Sequence, residues 1–422
     1  MRSKPLCTGL AAACVFALAG CGGSGNPGGG STGPTSTNVV YTFQGQSPSS
    51  IAVAIGGNAY TAASLQSGKL TLSIPNGTTN YSLAYVCPQA AGLGNLITAE
   101  YVIQASTSDG NSFSTTCNEV SGSTGSATGK IDTSAIGNVA NVLIRGNQGY
   151  GGSLGSAGGS FNVSLLAGSN DVAFIAVDSS GNVRAVKILR AQSVPGSMNG
   201  GGTIAFEASD QTTTQNLNVQ NIPSGFSTPA SASVEYVTAG GTEFLLVGNA
   251  SNQYPVIPAA YVESGDFYSI QANTSDMGTH SASVGVMQNI TGGGAATLAL
   301  PVPWAYAGPA PATLPTFNFN YAGFSGVSAI AQQAELEWIP STNSLYTVTV
   351  TATANYQAGS SAITIPDLAS MPGFLPPASS GSRVYWAASV WGGTTPVFDF
   401  LSTPPSSGSL SFVQQSGIYT QP

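Results

Sequence analysis

Between Tyr346 and Ala354 the chain reads Tyr-Thr-Val-Thr-Val-Thr-Ala-Thr-Ala, an alternation without a fault. Period two is the pattern of a strand with one buried and one wet face. It sets Tyr346, Val348, Val350, Ala352 and Ala354 on one side and the threonines on the other. Comparable runs recur along the chain, separated by turn sequences: Pro75-Asn76-Gly77, Asp109-Gly110-Asn111, Asp178 to Asn182 and Ala239-Gly240-Gly241. The 54 glycines and 25 prolines supply such turns, and only 6% of residues are charged, against about 25% in ordinary soluble domains. Many short strands joined by turns predict an all-β chain of sandwich or barrel units. Ser328 to Leu336 fits a helix or a strand.

An internal repeat divides the chain further. "GKLTLSIPNGTTNYSLAYV" from Gly68 aligns with "GGSFNVSLLAGSNDVAFIAV" from Gly158, so that Gly77 meets Gly168 and Val86 meets Val177. Upstream, "VAIGGNAY" ending at Tyr60 is similar to "LIRGNQGY" ending at Tyr150. Breaks fall at the linker Ser121 to Gly129, at Pro195 to Gly202, and at the series Pro301, Pro303, Pro309, Pro311, Pro315, whose spacing predicts a semi-rigid spacer. The expected units are 39–122, 128–194, 203–300 and 316–422. The second is short for a core of its own and is expected to pack on the first.

The N-terminus carries an address. Arg2 and Lys4 precede an apolar run from Leu6 to Gly20, and small residues lead into Cys21, the order of a secretory signal. The run is short for a bilayer span. Leu18-Ala19-Gly20-Cys21 resembles the lipobox of bacterial lipoproteins. That resemblance implies a signal peptide over 1–20, diacylglycerol on the Cys21 thiol, and a mature chain that starts at Cys21 and is held to a membrane of the cell envelope. Secretion with cleavage at a nearby small residue is the alternative. Residues 21–38 read as a Gly/Ser-rich tether whose ends average about 20–25 Å apart. Cys7 and Cys14 leave with the signal, so Cys87 and Cys117 remain for one disulfide in an oxidising compartment, or as two buried thiols.

Charge and motifs exclude several functions. Removing Arg2 and Lys4 from nine bases leaves Lys69, Lys130, Arg145, Arg184, Lys187, Arg190 and Arg383 against seventeen acids, a poor surface for nucleic acid. The cluster Arg184, Lys187 and Arg190 fits charged protection of an edge strand, or contact with an anionic polymer. Gly151-Gly152-Ser153-Leu154-Gly155 has nucleophile-elbow spacing, yet Gly29 to Gly33 in the tether fits equally well, so composition explains both. His280 is the one histidine. No metal ligand set and no cofactor is expected, and the absence of motifs favours a non-catalytic chain. Glu335 and Glu337, two apart on a strand, share its outward face while Leu336 and Trp338 turn inward. Asp109, Asp178 and Asp276 fall in turns, where carboxylates cap backbone N–H groups.

Four stretches carry a fold resemblance. "AELEWIP" ending at Pro340, the strand from Tyr346, "SAITIPDL" ending at Leu368 and "SRVYWAASVWGG" ending at Gly393 resemble the B, C, E and F strands of a fibronectin type III or related immunoglobulin-like sandwich. The resemblance implies that Trp338 is the core tryptophan. On Arg383 to Trp391, Val384, Trp386, Ala388 and Val390 share one face and Tyr385, Ala387, Ser389 and Trp391 the other. Tyr385, Trp386 and Trp391 are therefore the candidate contact residues, with Trp391 on the outer side or closing the end of the sandwich. Two functions remain: a lipid-anchored structural or interaction module facing a protein or polymer outside the cell, or a carbohydrate-binding or glycan-active protein. Exposed aromatic platforms would favour glycan and buried aromatics a scaffold.

Overall fold

A computed structural model describes residues 36–90, 96–118, 123–155, 157–227, 230–250, 252–276, 282–341, 344–394 and 405–422. Cys21 and His280 lie outside the described residues. The chain is all-β, with short 3-10 turns and, among the described residues, one helical turn at Ala354–Gln357, so Ala354 leaves the strand on whose buried face it is expected and is exposed.

The first unit sets the plan. Its strands run in the order Ser36–Gly45, Ser50–Ile55, Thr61–Ala62, Lys69–Pro75, Asn80–Ala90, Leu96–Ser106 and Ser112–Asn118. The first strand pairs antiparallel with the fourth and parallel with the seventh. The second, third, fifth and sixth make the opposing sheet, in the order third, second, fifth, sixth. Alternate residues of the two sheets, Tyr41, Leu70, Leu72, Tyr81, Leu83 and Phe113 among them, fill the space between. The Cys87–Cys117 disulfide ties the fifth strand to the seventh. Ser36 to Asn38, expected in the tether, already pair with Ser73 to Pro75, because their side of the ladder has partners to satisfy.

Among the described residues the same connectivity occurs twice more in full and once without a seventh strand. In the second unit Thr124–Asp132 lies between Gly158–Leu166 and the parallel pieces Gly196–Ser197 and Thr203–Ala205. Opposite it, Gly168–Val177 lies between Asn141–Arg145 and Val183–Val194. The expected linker Ser121 to Gly129 and break at Pro195 thus supply this unit's first and last strands. Gly77 and Gly168, aligned in the repeat, both turn with positive φ (86° and 114°), where an L side chain is strained. In the third unit Thr213–Gln220 lies between Gln253–Val256 and Ala296–Ala299, and Phe267–Ser275 between Ser231–Val237 and Ala282–Ile290. In the fourth, Thr316–Asn318 pairs with Ala362–Thr364, and Arg383–Gly393 lies between Ser328–Ser341 and Gly408–Thr420.

This plan differs from the fibronectin assignment. In immunoglobulin-type sandwiches strands B and C lie in opposite sheets. Here Ser328–Ser341 and Ser344–Thr353 form a hairpin in one sheet, with Trp338 opposite Tyr346, because only two residues separate them and the chain cannot cross. Ser328 to Leu336 is strand, held by neighbours on both sides. The proline series is packed rather than a spacer. Between its prolines, Trp304 stacks on Tyr306 at 4.5 Å and on Phe319 at 5.6 Å, and its indole N–H donates to Asn320. Gly308 (φ +94°) passes so close to Trp386 that an added Cβ would lie 2.4 Å from the ring.

Three of the four-stranded sheets join edge to edge into a twelve-stranded sheet. The third and fourth units meet antiparallel, Ala282 to Asn289 against Gly408 to Gln415. The fourth and first meet parallel, Ser344 to Ala352 against Leu96 to Gln104, and Asp109 fastens this joint by accepting from Thr353 and Asn355, each at 2.6 Å. The parallel joint turns the first unit over, so its second layer lies on the opposite face from those of the third and fourth. One end of the sheet is the two-residue strand Thr61–Ala62. At the other, Glu243–Val247 abuts the second unit through the Asn147–Thr242 bridge.

The second unit keeps its own sheets and docks on the third through the outer face of Gly168–Val177 and Val183–Val194, whose Ala173, Ile175, Val186 and Ile188 join the main core. The basic cluster is the clamp. Arg190 donates to Asp171 at 2.9 Å, to Asp266 at 2.5 Å and to the Tyr261 carbonyl, and Lys187 pairs with Asp210 at 3.2 Å. Burial alone would raise the carboxyl of Asp266, but Arg190, Tyr236 and the N–H groups of Glu263 and Ala239 outweigh it and hold the group below the usual carboxylate range.

Two outcomes are expected. Arg190→Ala leaves Asp171 and Asp266 without their cation and lowers stability by about 3–5 kcal/mol, with Arg190→Lys recovering part of the loss because it cannot fork. Urea denaturation reads both. Replacing Cys87 and Cys117 together by alanine reopens a thirty-residue loop and costs about 3–4 kcal/mol, measured the same way.

Candidate functional site

The third and fourth units place their second layers on one face of the large sheet, and the other face of those strands is left open. Strand alternation assigns residues to it. Val384, Trp386, Ala388 and Val390 point into the main core. Tyr385, Ala387, Ser389 and Trp391 point to the open face, as the sequence predicts. Trp386 is 4% exposed and rests edge-on against Tyr306 and Phe317. Its assignment as a contact residue is therefore corrected: the aromatic-rich 304–319 segment folds back over it. Trp338 is core as expected, edge-on to Tyr346.

Trp391 lies on the open face but is 8% exposed. Phe412 leans on it at 5.4 Å, and Ala331 and Leu410 complete a small apolar cluster with it. It closes the end of the sheet. Tyr385 is the aromatic that remains outside, 42% exposed, opposite Ile418 at 44%. Arg383 sits over the Tyr385 ring at 5.8 Å. Ile418 escapes sequence reasoning, because the alternation of Gly408–Thr420 is broken by glutamines, serines and a glycine.

Carboxylates flank this patch. On Ser328–Ser341 the residues Gln333, Glu335 and Glu337 share the open face, with Glu337 opposite Tyr385 and Thr347, and Glu335 opposite Ala387 and Thr349. Gln333 donates to the Thr351 hydroxyl at 3.2 Å. The glutamates are outward but half-buried. Burial, and then Glu337, push Glu335 up from the usual carboxylate range, and burial pushes Glu337 up. The row can accept hydrogen bonds and repel anions, and the Tyr385–Ile418 pair adds a flat apolar contact beside it. The aspartates in turns act as expected. Asp178 accepts from the N–H groups of Ser180 and Asn182, and Asp276 from that of Ala282. Ser153 lies on the short strand Gly151–Leu154 of a hairpin, which is no nucleophile elbow. No group of three or more His, Cys, Asp or Glu residues placed to hold a metal occurs among the described residues, and no described helix is long and apolar enough to cross a membrane.

A second feature escapes the sequence entirely. Glu100, on Leu96–Ser106, is 2% exposed and points away from the disulfide-linked core toward the fourth unit. It accepts from the Leu375 N–H at 3.0 Å. Burial, opposed by that hydrogen bond, raises its carboxyl to about 7. By alternation Glu100 shares a face with Leu96, Thr98, Val102 and Gln104, a mixed face on which nothing marks it for burial.

No family model and no curated protein matches the chain. Among solved structures it is similar to a leucine-rich repeat protein from Bacteroides thetaiotaomicron, at 12% identity over 40% of this chain and 22% of that one, with a TM-score of 0.15. It is also similar to the Bacillus anthracis TIE protein, at 12% identity over 56% of this chain and 45% of that one, again with a TM-score of 0.15. The chain thus spans less than half of each of these two structures.

Substitutions separate core from surface. Trp386→Ala is expected to cost about 3–5 kcal/mol, whereas Tyr385→Ala stays within about 0.5 kcal/mol, both by denaturation. The raised carboxyls of Glu100, Glu335 and Glu337 give stability that is full below the unfolded carboxylate value and is lost as pH rises through their folded values. Melting temperature should therefore fall from about pH 4.5 to pH 7, and Glu335→Gln should flatten part of that slope.

Proposed function

We propose that this protein is a non-catalytic interaction or scaffold module of the cell envelope, anchored by lipid on Cys21. The observation that carries the reading is the placement of the tryptophans: Trp304, Trp338, Trp386 and Trp391 are all buried, the least so at 8% exposed. A glycan platform needs coplanar aromatic faces open to solvent, and Tyr385 alone does not make one. Fused sheets, few charges and a half-buried acidic row beside Tyr385 and Ile418 suit a rigid surface that meets another protein. The lipobox-like Leu18 to Cys21 and the single disulfide agree with export.

The anchor and the surface are tested separately. Mass spectrometry of the mature N-terminus should find an acylated Cys21, and Cys21→Ala should move the protein from the membrane fraction to the soluble one. An unmodified start elsewhere refutes the anchor. Immobilised wild-type protein should retain an envelope protein that Tyr385→Ala with Ile418→Ser loses at unchanged melting temperature. Retention instead of purified cell-wall glycan, lost in the same variant, would replace the scaffold reading with a carbohydrate-binding one.

A further inference from the structure

At the joint between the first and fourth units a pocket opens around Glu100. Its walls are mostly apolar, with Leu336 and Trp338 from the sheet, Leu375 and Pro376 from the 365–378 crossover and Tyr419 from the last strand, and Thr313 and Gln421 add neutral polar groups. Asp367 stands at the same pocket and is exposed. No Lys, Arg or His is among the lining residues. The free space is about 30 Å³, above the roughly 10–15 Å³ that one water needs.

A carboxyl sunk in such walls is costly when ionised unless a cation meets it. Here the protein supplies one backbone N–H and no cation. The pocket offers what an ammonium group would use: a buried carboxylate at the base, a second at the rim and an indole at the side. The chain's net charge of −8 draws cations toward it. The space admits a compact head and not a broad one. We infer that the Glu100 pocket is a binding site for a primary ammonium group on a short alkyl stem, either a free amine or a lysine side chain of a partner.

Protons compete with this ligand. With Glu100 raised to about 7 by burial, the site is mostly neutral at lower pH and charged above. The other titratable groups that face it are Asp367 at the rim, Tyr419, and Tyr60, which lies near enough to feel the Glu100 charge. The tyrosines stay neutral throughout, since burial raises both to about 12. Affinity therefore follows Glu100, rising as pH passes about 7 and levelling above it.

The test titrates the full chain with n-propylammonium and with Nα-acetyl-lysine N-methylamide, read by calorimetry and by Trp338 side-chain shifts. The expected result is binding at about pH 8 that weakens roughly tenfold at about pH 6. Glu100→Gln, which keeps an acceptor for Leu375, should weaken it at least tenfold and abolish the pH dependence, and Asp367→Asn should weaken it several-fold. Binding of the free amine alone identifies a soluble amine as the occupant, and binding of the lysine derivative alone identifies a partner's side chain. Binding of neither, or equal binding by Glu100→Gln, overturns the inference. If Glu100→Gln melts early, the pH dependence and Asp367→Asn decide: a flat profile with an unaffected Asp367→Asn overturns it equally.

Discussion

The outer strand of any open sheet presents a row of backbone donors and acceptors that must find partners. Each unit here has a four-stranded sheet with two such rows, and their disposal decides the arrangement. The sixth strands of the third and fourth units pair with each other, and the hairpin strand of the fourth pairs with the sixth of the first. Once those ladders form, the relative positions of three units follow from hydrogen-bond geometry rather than from side-chain complementarity. The inverted first unit is a direct result. A parallel ladder between a third strand and a sixth strand requires the strand directions of one unit to reverse, and the covered face reverses with them.

Scarcity of charge shapes the rest. The ion pairs of the described residues are concentrated where backbone pairing cannot serve. Arg190 gathers Asp171, Asp266 and Glu263 at the one junction built face to face instead of edge to edge. Asp109 and Glu100 both sit at the joint of the first and fourth units, the former satisfied by hydroxyl and amide donors and the latter by a single N–H. Alternation explains the placement of most other polar groups: Thr347, Thr349 and Thr351 follow the sheet's open side as their spacing requires, and even there Thr349 is closed over by its neighbours.

What could be read in advance divides along the same line. Alternation assigned the faces of Tyr346 to Ala352 and of Arg383 to Trp391, because side-chain direction along a strand is local, and it failed at Ala354, which begins a helical turn and is exposed while its N-cap Thr353 is buried. The repeat of Gly68 and Gly158 was visible because two turns that carry the chain from one sheet to the other share glycines, Gly77 and Gly168, where positive φ is needed. The third and fourth units follow the same plan without such markers, so their kinship appears only in strand pairing. Trp386 and Trp391 show the limit most sharply. Each was placed on its correct face, but whether a face is covered depends on chain far away in sequence: residues 304–319 for one and Phe412 for the other. The buried role of Arg190 was hidden for the same reason, since its carboxylates lie across a junction between units.

A chain that fuses its own sheets by their margins runs a hazard, for the same chemistry would add a neighbouring molecule's strand without limit. The two ends of the twelve-stranded sheet remove that option. Thr61–Ala62 is too short to template a partner, and Glu243–Val247, apolar enough to invite one, has the second unit's Asn147 at its approach. The plate is thus finite by construction, and crowding many copies on one surface need not seed fibres.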